Sequence, residues 1–214
     1  MKLHYKTWRL VVLAMFAAII FLLAFTPIGF IPLPFMRATT IHIPVIVGSL
    51  LLGPKAGALL GFMFGLTSLI NNTFNPNVMS FVFSPFYSLP GQESGSWLSL
   101  IIVFVPRVLV GVTPWYVCAG LKKAMNERFT PVNWVLSGIV GSMTNTLLVM
   151  HLIYFFFGED WNNVREGTTA IYAAILSVVA INGIPEAVIA GIIVTALMSA
   201  LTAAIKVPQR EWQR

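Results

Sequence analysis

The stretch LVVLAMFAAIIFLLAF at residues 10–25 contains no polar side chain. Together with Thr7 and Trp8 it reaches the roughly 20 residues that an α-helix needs to cross about 30 Å of hydrocarbon. Its basic start resembles that of a signal peptide, but an A-x-A-like cleavage site is missing and apolar sequence continues beyond Thr26 and Pro27. The stretch therefore predicts a retained membrane-spanning helix.

The composition of the whole chain also indicates a membrane protein. The 214 residues are 57% hydrophobic and 9% charged, whereas an average soluble domain carries about 25% charged residues. The single cysteine, Cys118, excludes a disulfide framework and a cysteine-based zinc site. The sequence contains no G-x-S-x-G, H-E-x-x-H or Walker A motif. We therefore expect no catalytic residues, no metal and no cofactor.

Charge-free stretches bounded by Pro, Gly and basic residues predict five further helices. The expected fold is an all-α membrane protein, with the chain from 1 to 214 forming a single integral membrane domain. The six helices are expected at about residues 8–25, 38–53, 54–70, 97–121, 132–157 and 169–205.

The positions of the basic residues predict the orientation of these helices. With six spans, ten of the thirteen Lys and Arg residues lie on the side that holds both termini. Arg37 and Arg165 lie on the other side, and Arg107 lies within the membrane. Because cytoplasmic loops are enriched in Lys and Arg, we expect both termini in the cytoplasm of a multi-pass cell-membrane protein. The basic charge is thus explained without nucleic-acid binding.

Two loops on the outer side are unusually apolar. They cover residues 26–37, TPIGFIPLPFMR, and residues 71–96. Irregular backbone at membrane depth is tolerated only where protein buries it or where it lines a cavity. Loops longer than about 12 to 15 residues are also usually functional or disordered. We expect the two loops to cap a ligand site as lids; the alternative is that they only close the bundle.

Arg107 in VPRVLVG and Glu186 in NGIPEAVIAG are charges within predicted spans. Such charges cost several kcal/mol unless they face a partner or water. One explanation is an ion pair between the fourth and sixth helices. The other is that Arg107 binds an anionic ligand group through its planar guanidinium, while Glu186 accepts ligand hydrogens or holds Arg107.

Other polar and aromatic residues are candidates for the same site. Asn182 shares a helix face with Glu186, and Pro185 between them should bend the helix. Asn145 is expected to face the bundle, where it binds ligand or joins helices. His42 lies near the outer end of the second helix, and Tyr87 either stacks on a ligand or belongs to an interfacial aromatic belt.

Small residues recur at four-residue spacing in two helices. The first helix has Ala14 and Ala18, and the third has Gly57, Gly61 and Gly65. Such rows allow close helix packing, either within the bundle or against another membrane subunit.

Three segments resemble the substrate-binding (S) components of energy-coupling factor (ECF) transporters. They are IPLPFMRATTIHIPVIVGSLLLGPKAGALLGFMFGLTSLINN at 31–72, VPRVLVG at 105–111 and NGIPEAVIAG at 182–191, and the resemblance extends over essentially the whole chain. It implies six helices with both termini inside and a vitamin bound near the outer face. It further implies a transmembrane coupling subunit docked on Ala14 and Ala18, and two cytoplasmic ATPases that supply the energy. The loaded protein would then topple in the membrane to deliver its vitamin.

Residues 35–37 and 71–73 are most similar to pantothenate-specific members of this family, which adds Asn72 to the candidate substrate-binding residues. Arg107 would pair with the pantothenate carboxylate. The hydroxyls and amide of the vitamin would be bound by Asn145, Asn182 and Glu186. Folate, another anion, would also suit Arg107. Neutral pyridoxine or hydroxymethylpyrimidine would leave Arg107 paired only with Glu186, and cationic thiamine would prefer aromatic walls and Glu186.

Two other classes of protein remain open at this point. In a stand-alone secondary transporter Glu186 would carry a proton, but such transporters are expected to contain inverted repeats, and no convincing repeat is present. A structural or assembly protein would leave Arg107 paired with Glu186 and the outer loops empty.

Overall fold

The structure is a computed structural model that describes residues 4–26, 29–32, 37–77, 79–88, 95–125, 130–164 and 171–204. Six helices make up almost all of this part of the chain. They are α1 (His4–Ala24), α2 (His42–Leu52), α3 (Pro54–Phe74), α4 (Leu98–Ala124), α5 (Thr130–Val164) and α6 (171–204). The last consists of Ile171–Val178, a π-helical turn at Val179–Gly183, and Ile184–Ala204.

The predicted all-helical architecture with six helices is confirmed for the described residues. Four of the helices, α1, α4, α5 and α6, are long and apolar enough to cross a membrane. Helix α2 is apolar but has only 11 residues. The expected boundaries at 169 and 205 lie outside the described residues, as do 27–28, 33–36, 78 and 89–94 of the two apolar loops.

The second helix begins later than the sequence suggested. Two short strands, β1 (Phe30–Pro32) and β2 (Arg37–Thr39), pair antiparallel and form a hairpin before it. The expected start near residue 38 is therefore occupied by a strand, and α2 begins at His42. Backbone pairing with β1 satisfies the hydrogen bonds that residues 37–39 would otherwise make in a helix.

Helices α3 and α4 extend beyond their expected ends, α4 to Ala124 instead of residue 121. Helix α3 continues to Phe74, and Asn72 and Thr73 donate hydrogen bonds back to carbonyl oxygens one turn earlier. Helix α5 was expected to stop near residue 157. Its backbone is non-helical at this position (Phe157, φ −138°, ψ 23°), and a further helical segment follows the kink and ends at Val164.

A π-helical turn at Val179–Gly183 precedes Pro185, where the sequence predicted a bend. Pro185 has no N–H to donate to the carbonyl of the preceding turn, so the regular α-helical hydrogen bonding is interrupted there. Widening the turn at Val179–Gly183 accommodates this interruption. Asn182 lies within the π turn, and Glu186 follows it at the start of the next α-helical segment.

The glycine row of α3 packs inside the bundle. A methyl group on Gly57 would overlap the carbonyl oxygen of Gly111 on α4, and a methyl group on Gly61 would overlap the carbonyl oxygen of Arg107. Ala14 and Ala18, in contrast, lie on an exposed face of α1. The two small-residue rows thus have different surroundings: the glycines bring α3 against α4, while the alanines face outward.

Two buried clusters organise the core. One joins α1 and α2 to the neighbouring parts of the other helices and includes Phe16, Ile46 and Leu60. The second joins α4, α5 and α6 to the short helical turn Ser80–Val82. Phe81 and Val82 of this turn are almost fully buried. Part of the second apolar loop is therefore packed into the bundle, at the end where α4 begins, which we call the hairpin end.

Candidate functional site

Arg107 is a buried cation in the middle of α4. It is the tenth residue of the helix, about 14 Å from its start at 1.5 Å per residue, and only 5% of it is exposed. Its Nη1 donates a 2.6 Å hydrogen bond to the carbonyl oxygen of Ile102. Its Cζ lies 5.6 Å from the ring centroid of Phe64 and 5.3 Å from that of Phe83. These contacts hold the guanidinium in place through a hydrogen bond and two cation–π interactions.

The fixed guanidinium retains unused binding capacity. Its Nε is buried and has no hydrogen-bond partner in the described part of the chain. No carboxylate pairs with Arg107 among these residues. A buried cation with a free donor and no acidic partner is suited to an incoming carboxylate, which can accept two hydrogen bonds from one guanidinium.

Glu186 pairs with His42 instead of Arg107. Its Oε1 lies 3.4 Å from Nδ1 of His42, and these side chains are 17% and 1% exposed. The same oxygen accepts a 3.3 Å hydrogen bond from the backbone N–H of Thr39 in β2. The ion pair between Arg107 and Glu186, one of the two explanations left open by the sequence, is therefore absent from the described structure.

The local fold explains why these groups meet. The β1–β2 hairpin leads directly into α2, which places Thr39 close to His42 at the start of the helix. The π turn in α6 ends just before Glu186. The carboxylate thus links the hairpin and the beginning of α2 to the segment of α6 that follows the π turn, and the hairpin is attached to the bundle at this point.

Asn145 lies at about the same level of the bundle as His42. Gly141, one turn before Asn145, packs against Ile46, one turn after His42. Because α5 runs antiparallel to α2, moving one turn along each helix leads to Asn145 and His42. Asn145 is 7% exposed, and its Oδ1 has no partner among the described groups. An acceptor is therefore available beside the histidine.

The π turn also approaches this level. Gly183 lies against the side chain of Thr146, the residue after Asn145. Asn182 is half-buried next to it. These neighbours place Asn145 and Asn182 at about the level of the His42–Glu186 pair, towards the hairpin end of the bundle.

Asn72 lies near the end of α3, and Tyr87 lies in the second loop. The Nδ2 of Asn72 donates to the carbonyl oxygen of Ser68 at 2.8 Å, and its Oδ1 accepts from Ser80 Oγ at 3.1 Å. Thr73 and Ser84 share a 2.8 Å hydrogen bond between their hydroxyls. These bonds attach the loop to the end of α3 and support Phe83 over Arg107. Tyr87 is 36% exposed at the edge of the same loop.

Three residues of this region were missed by the sequence analysis. Phe64 and Phe83 contact the guanidinium, and the backbone of Thr39 binds the carboxylate. Phe64 has the ordinary pattern of a core residue, so nothing in the sequence distinguishes it. Phe83 lies in a loop that the sequence analysis identified as too apolar for water, and this was the available signal.

The described side chains can bind a polar anion, and no group of three or more His, Cys, Asp or Glu residues among them could hold a metal ion. They offer one fixed cation, aromatic rings beside it, and a separate region with an amide, an imidazole and a carboxylate. These are the groups of a binding site for a small molecule that carries both a carboxylate and neutral polar groups.

Comparisons with known proteins agree with this description. The model of the family "ECF transporter, substrate-specific component" matches residues 8–198. The chain is also 38% identical over 201 residues to the pantothenic acid transporter PanT of Lactococcus lactis subsp. cremoris (strain MG1363). That alignment covers 93% of this chain and 96% of the relative.

Proposed function

The chain belongs to the substrate-specific components of ECF transporters, and we propose that it captures pantothenate at the outer face of the cell membrane for import. As a transporter component embedded in the membrane, it is not an enzyme. Pantothenate is an anion with one carboxylate, one amide and two hydroxyl groups. The similarity to a pantothenic acid transporter over 93% of the chain supports this choice of vitamin.

The observation that carries the proposal is the buried guanidinium of Arg107, which has no acidic partner among the described residues. In a membrane-embedded site an uncompensated charge is costly, so the free protein has a cation that a ligand carboxylate can neutralise. A neutral vitamin would leave Arg107 without a counter-charge, because Glu186 is paired with His42. An anionic vitamin supplies it.

The remaining candidate residues fit the neutral part of pantothenate. Asn145, Asn182, His42 and Glu186 would bind its hydroxyls and amide, and the unpartnered Oδ1 of Asn145 supports this assignment. Asn72 would contribute through the loop that it attaches to α3, and Tyr87 would cover the ligand from the edge of this loop. In this arrangement the hairpin and the second loop act as lids over the site.

The proposal includes an orientation of the protein in the membrane. All six helices cross or enter the bilayer, with the hairpin end outside and both termini in the cytoplasm. The described basic residues at helix ends support this orientation, because Lys6, Arg9, Lys55, Lys122 and Lys123 all lie near the end opposite the hairpin.

Transport requires partners that supply energy. A transmembrane coupling subunit would dock on the exposed face of α1 that carries Ala14 and Ala18, and two cytoplasmic ATPases would drive the cycle. The loaded protein would then reorient in the membrane and release its vitamin inside. Arg107 and Glu186 are the two charged side chains of the described helices that lie away from helix ends, so few charges would have to move through lipid.

The proposal is tested by identifying the ligand of the purified protein. Mass spectrometry of small molecules released on denaturation is expected to detect pantothenate. Calorimetric titration of ligand-free protein with pantothenate, folate, pyridoxine and thiamine is expected to give tightest binding for pantothenate. Tighter binding of another of these vitamins would overturn the assignment.

A further inference from the structure

We propose that binding of the anionic vitamin is accompanied by uptake of one proton at the His42–Glu186 pair, so that the loaded protein enters its transport step with a neutral site. This inference rests on the proposed function, because it requires a carboxylate beside Arg107. It assigns to the pair a role in charge compensation that is separate from contact with the vitamin.

The first step of the argument is the charge of the site without ligand. Arg107 contributes one positive charge, and an ionised Glu186 beside a neutral His42 contributes one negative charge. The two charges do not touch, since Glu186 pairs with His42 and Arg107 binds Ile102 and two aromatic rings. Their sum is nevertheless zero, so the ligand-free site carries no net charge while the pair is unprotonated.

The second step is the charge after an anion has bound. The carboxylate neutralises Arg107, and the largely buried pair is then left with an uncompensated negative charge. Since isolated charges are strongly disfavoured in buried and membrane-embedded positions, one added proton restores neutrality. The proton comes from solvent and is bound between Nδ1 of His42 and Oε1 of Glu186, which are 3.4 Å apart.

The surroundings of the pair offer no other described group for this task. Helix α5 presents Asn145, which does not titrate, and α4 presents Arg107. The remaining charged residues of the described helices lie near helix ends, at Lys6, Arg9, Lys55, Lys122, Lys123, Glu159 and Asp160. Arg37 belongs to β2, two residues before Thr39. His151 is exposed on α5, where its ring contacts Tyr172.

The geometry makes the pair suitable for holding a shared proton. His42 is 1% exposed, and neither ring nitrogen has a hydrogen bond among the described residues, although Nδ1 faces the carboxylate. The backbone N–H of Thr39 fixes Oε1. A proton added to the pair can therefore form a hydrogen bond between the imidazole and the carboxylate without rearranging the bundle.

The experiment is calorimetric titration of the purified full-length protein with pantothenate in two buffers of different ionisation enthalpy, phosphate and Tris, between about pH 6 and about pH 8. The difference in heat divided by the difference in ionisation enthalpy gives the number of protons taken up. We expect a value approaching one proton per bound pantothenate in part of this range. Because the bound form holds the additional proton, affinity should fall as pH rises, by up to about tenfold per pH unit.

A variant and a control test the assignment to the pair. Glu186→Gln retains an oxygen acceptor for the Thr39 N–H but removes the negative charge, so the bound site is already neutral and proton uptake should fall to near zero. His151→Gln removes the exposed histidine of α5 and should leave the proton count unchanged.

Three outcomes are decisive. Pantothenate binding without proton uptake by the wild-type protein at any pH in the range would overturn this inference and leave the proposed function intact. Unchanged proton uptake in Glu186→Gln would also overturn it. Absence of pantothenate binding to the wild-type protein would overturn both the inference and the proposed function.

Discussion

Oε1 of Glu186 lies 3.4 Å from Nδ1 of His42 and also accepts the backbone N–H of Thr39, although 147 positions separate Thr39 from Glu186. This contact attaches the β1–β2 hairpin to α6 just after its π turn. Arg107 remains a buried cation without an acidic partner in the described structure. In the proposed function the two charges therefore have different roles: Arg107 binds the ligand carboxylate, and Glu186 holds the hairpin.

Replacement of Arg107 tests the role of the guanidinium. Arg107→Ala should weaken pantothenate binding by more than about 30-fold, because truncating one partner of a buried charge pair costs about 2–5 kcal/mol. Arg107→Lys should retain part of the affinity, since it keeps the charge but loses the planar donor pair. Arg9→Ala is a matched control, because Arg9 donates to the carbonyl of Leu52 far from the site. Unchanged pantothenate affinity in Arg107→Ala would show that Arg107 does not bind the carboxylate of the vitamin.

Glu186→Ala should destabilise the hairpin end of the protein. The substitution removes the acceptor of the Thr39 N–H and the partner of His42, and an unsatisfied buried group costs about 1–3 kcal/mol. We expect a lower melting temperature in detergent and faster proteolysis at the hairpin. Glu159→Ala, on the exposed surface of α5, should leave both unchanged. Equal melting temperatures of the two variants would argue against a stabilising contact between Glu186 and the hairpin.

Gly61→Ala should separate α3 from α4 at the level of the site. The added methyl group would overlap the carbonyl oxygen of Arg107, and overpacking of this kind costs about 1–3 kcal/mol. Both thermal stability and pantothenate affinity should fall, because the backbone that carries Arg107 must move. The control is Gly120→Ala on α4, which adds a methyl group to open space and should be neutral or stabilise by up to about 1 kcal/mol.

Enlarging the exposed alanines of α1 should separate vitamin binding from transport. Ala14→Trp and Ala18→Trp add bulk to a surface that lies away from Arg107, so pantothenate affinity should be unchanged. Co-purification with the coupling subunit and uptake by cells should be lost. Ile189→Trp, on an exposed face of α6, is the control. Normal uptake by both alanine variants would place the coupling interface elsewhere.

The helices could be predicted from the sequence because each one corresponds to a continuous apolar stretch of the chain. The sequence identified the six helices and both buried charges. It also identified the loop at 71–96 as unusually apolar, and two side chains of this loop, Phe81 and Val82, are buried in the structure. Each of these predictions depends on the character of neighbouring residues along the chain.

The pairing of the charges could not be predicted in this way. Arg107 and Glu186 were considered as partners because they were the two charges within predicted spans. Whether His42 lies beside Arg107 or beside Glu186 depends on the π turn in α6 and on the hairpin that occupies the expected start of α2. Both features arise from backbone hydrogen bonds between distant or irregular segments, which hydrophobic periodicity does not report.

The most direct test of the central claim compares pantothenate with pantothenyl alcohol, in which a neutral hydroxymethyl group replaces the carboxylate and the amide and the other two hydroxyl groups are the same. Calorimetric titration of the purified wild-type protein should show pantothenate binding at least about 30-fold tighter, since the alcohol leaves the buried guanidinium unpaired. Equal affinity for the two molecules, or no binding of pantothenate, would contradict the account of Arg107 as the carboxylate-binding residue.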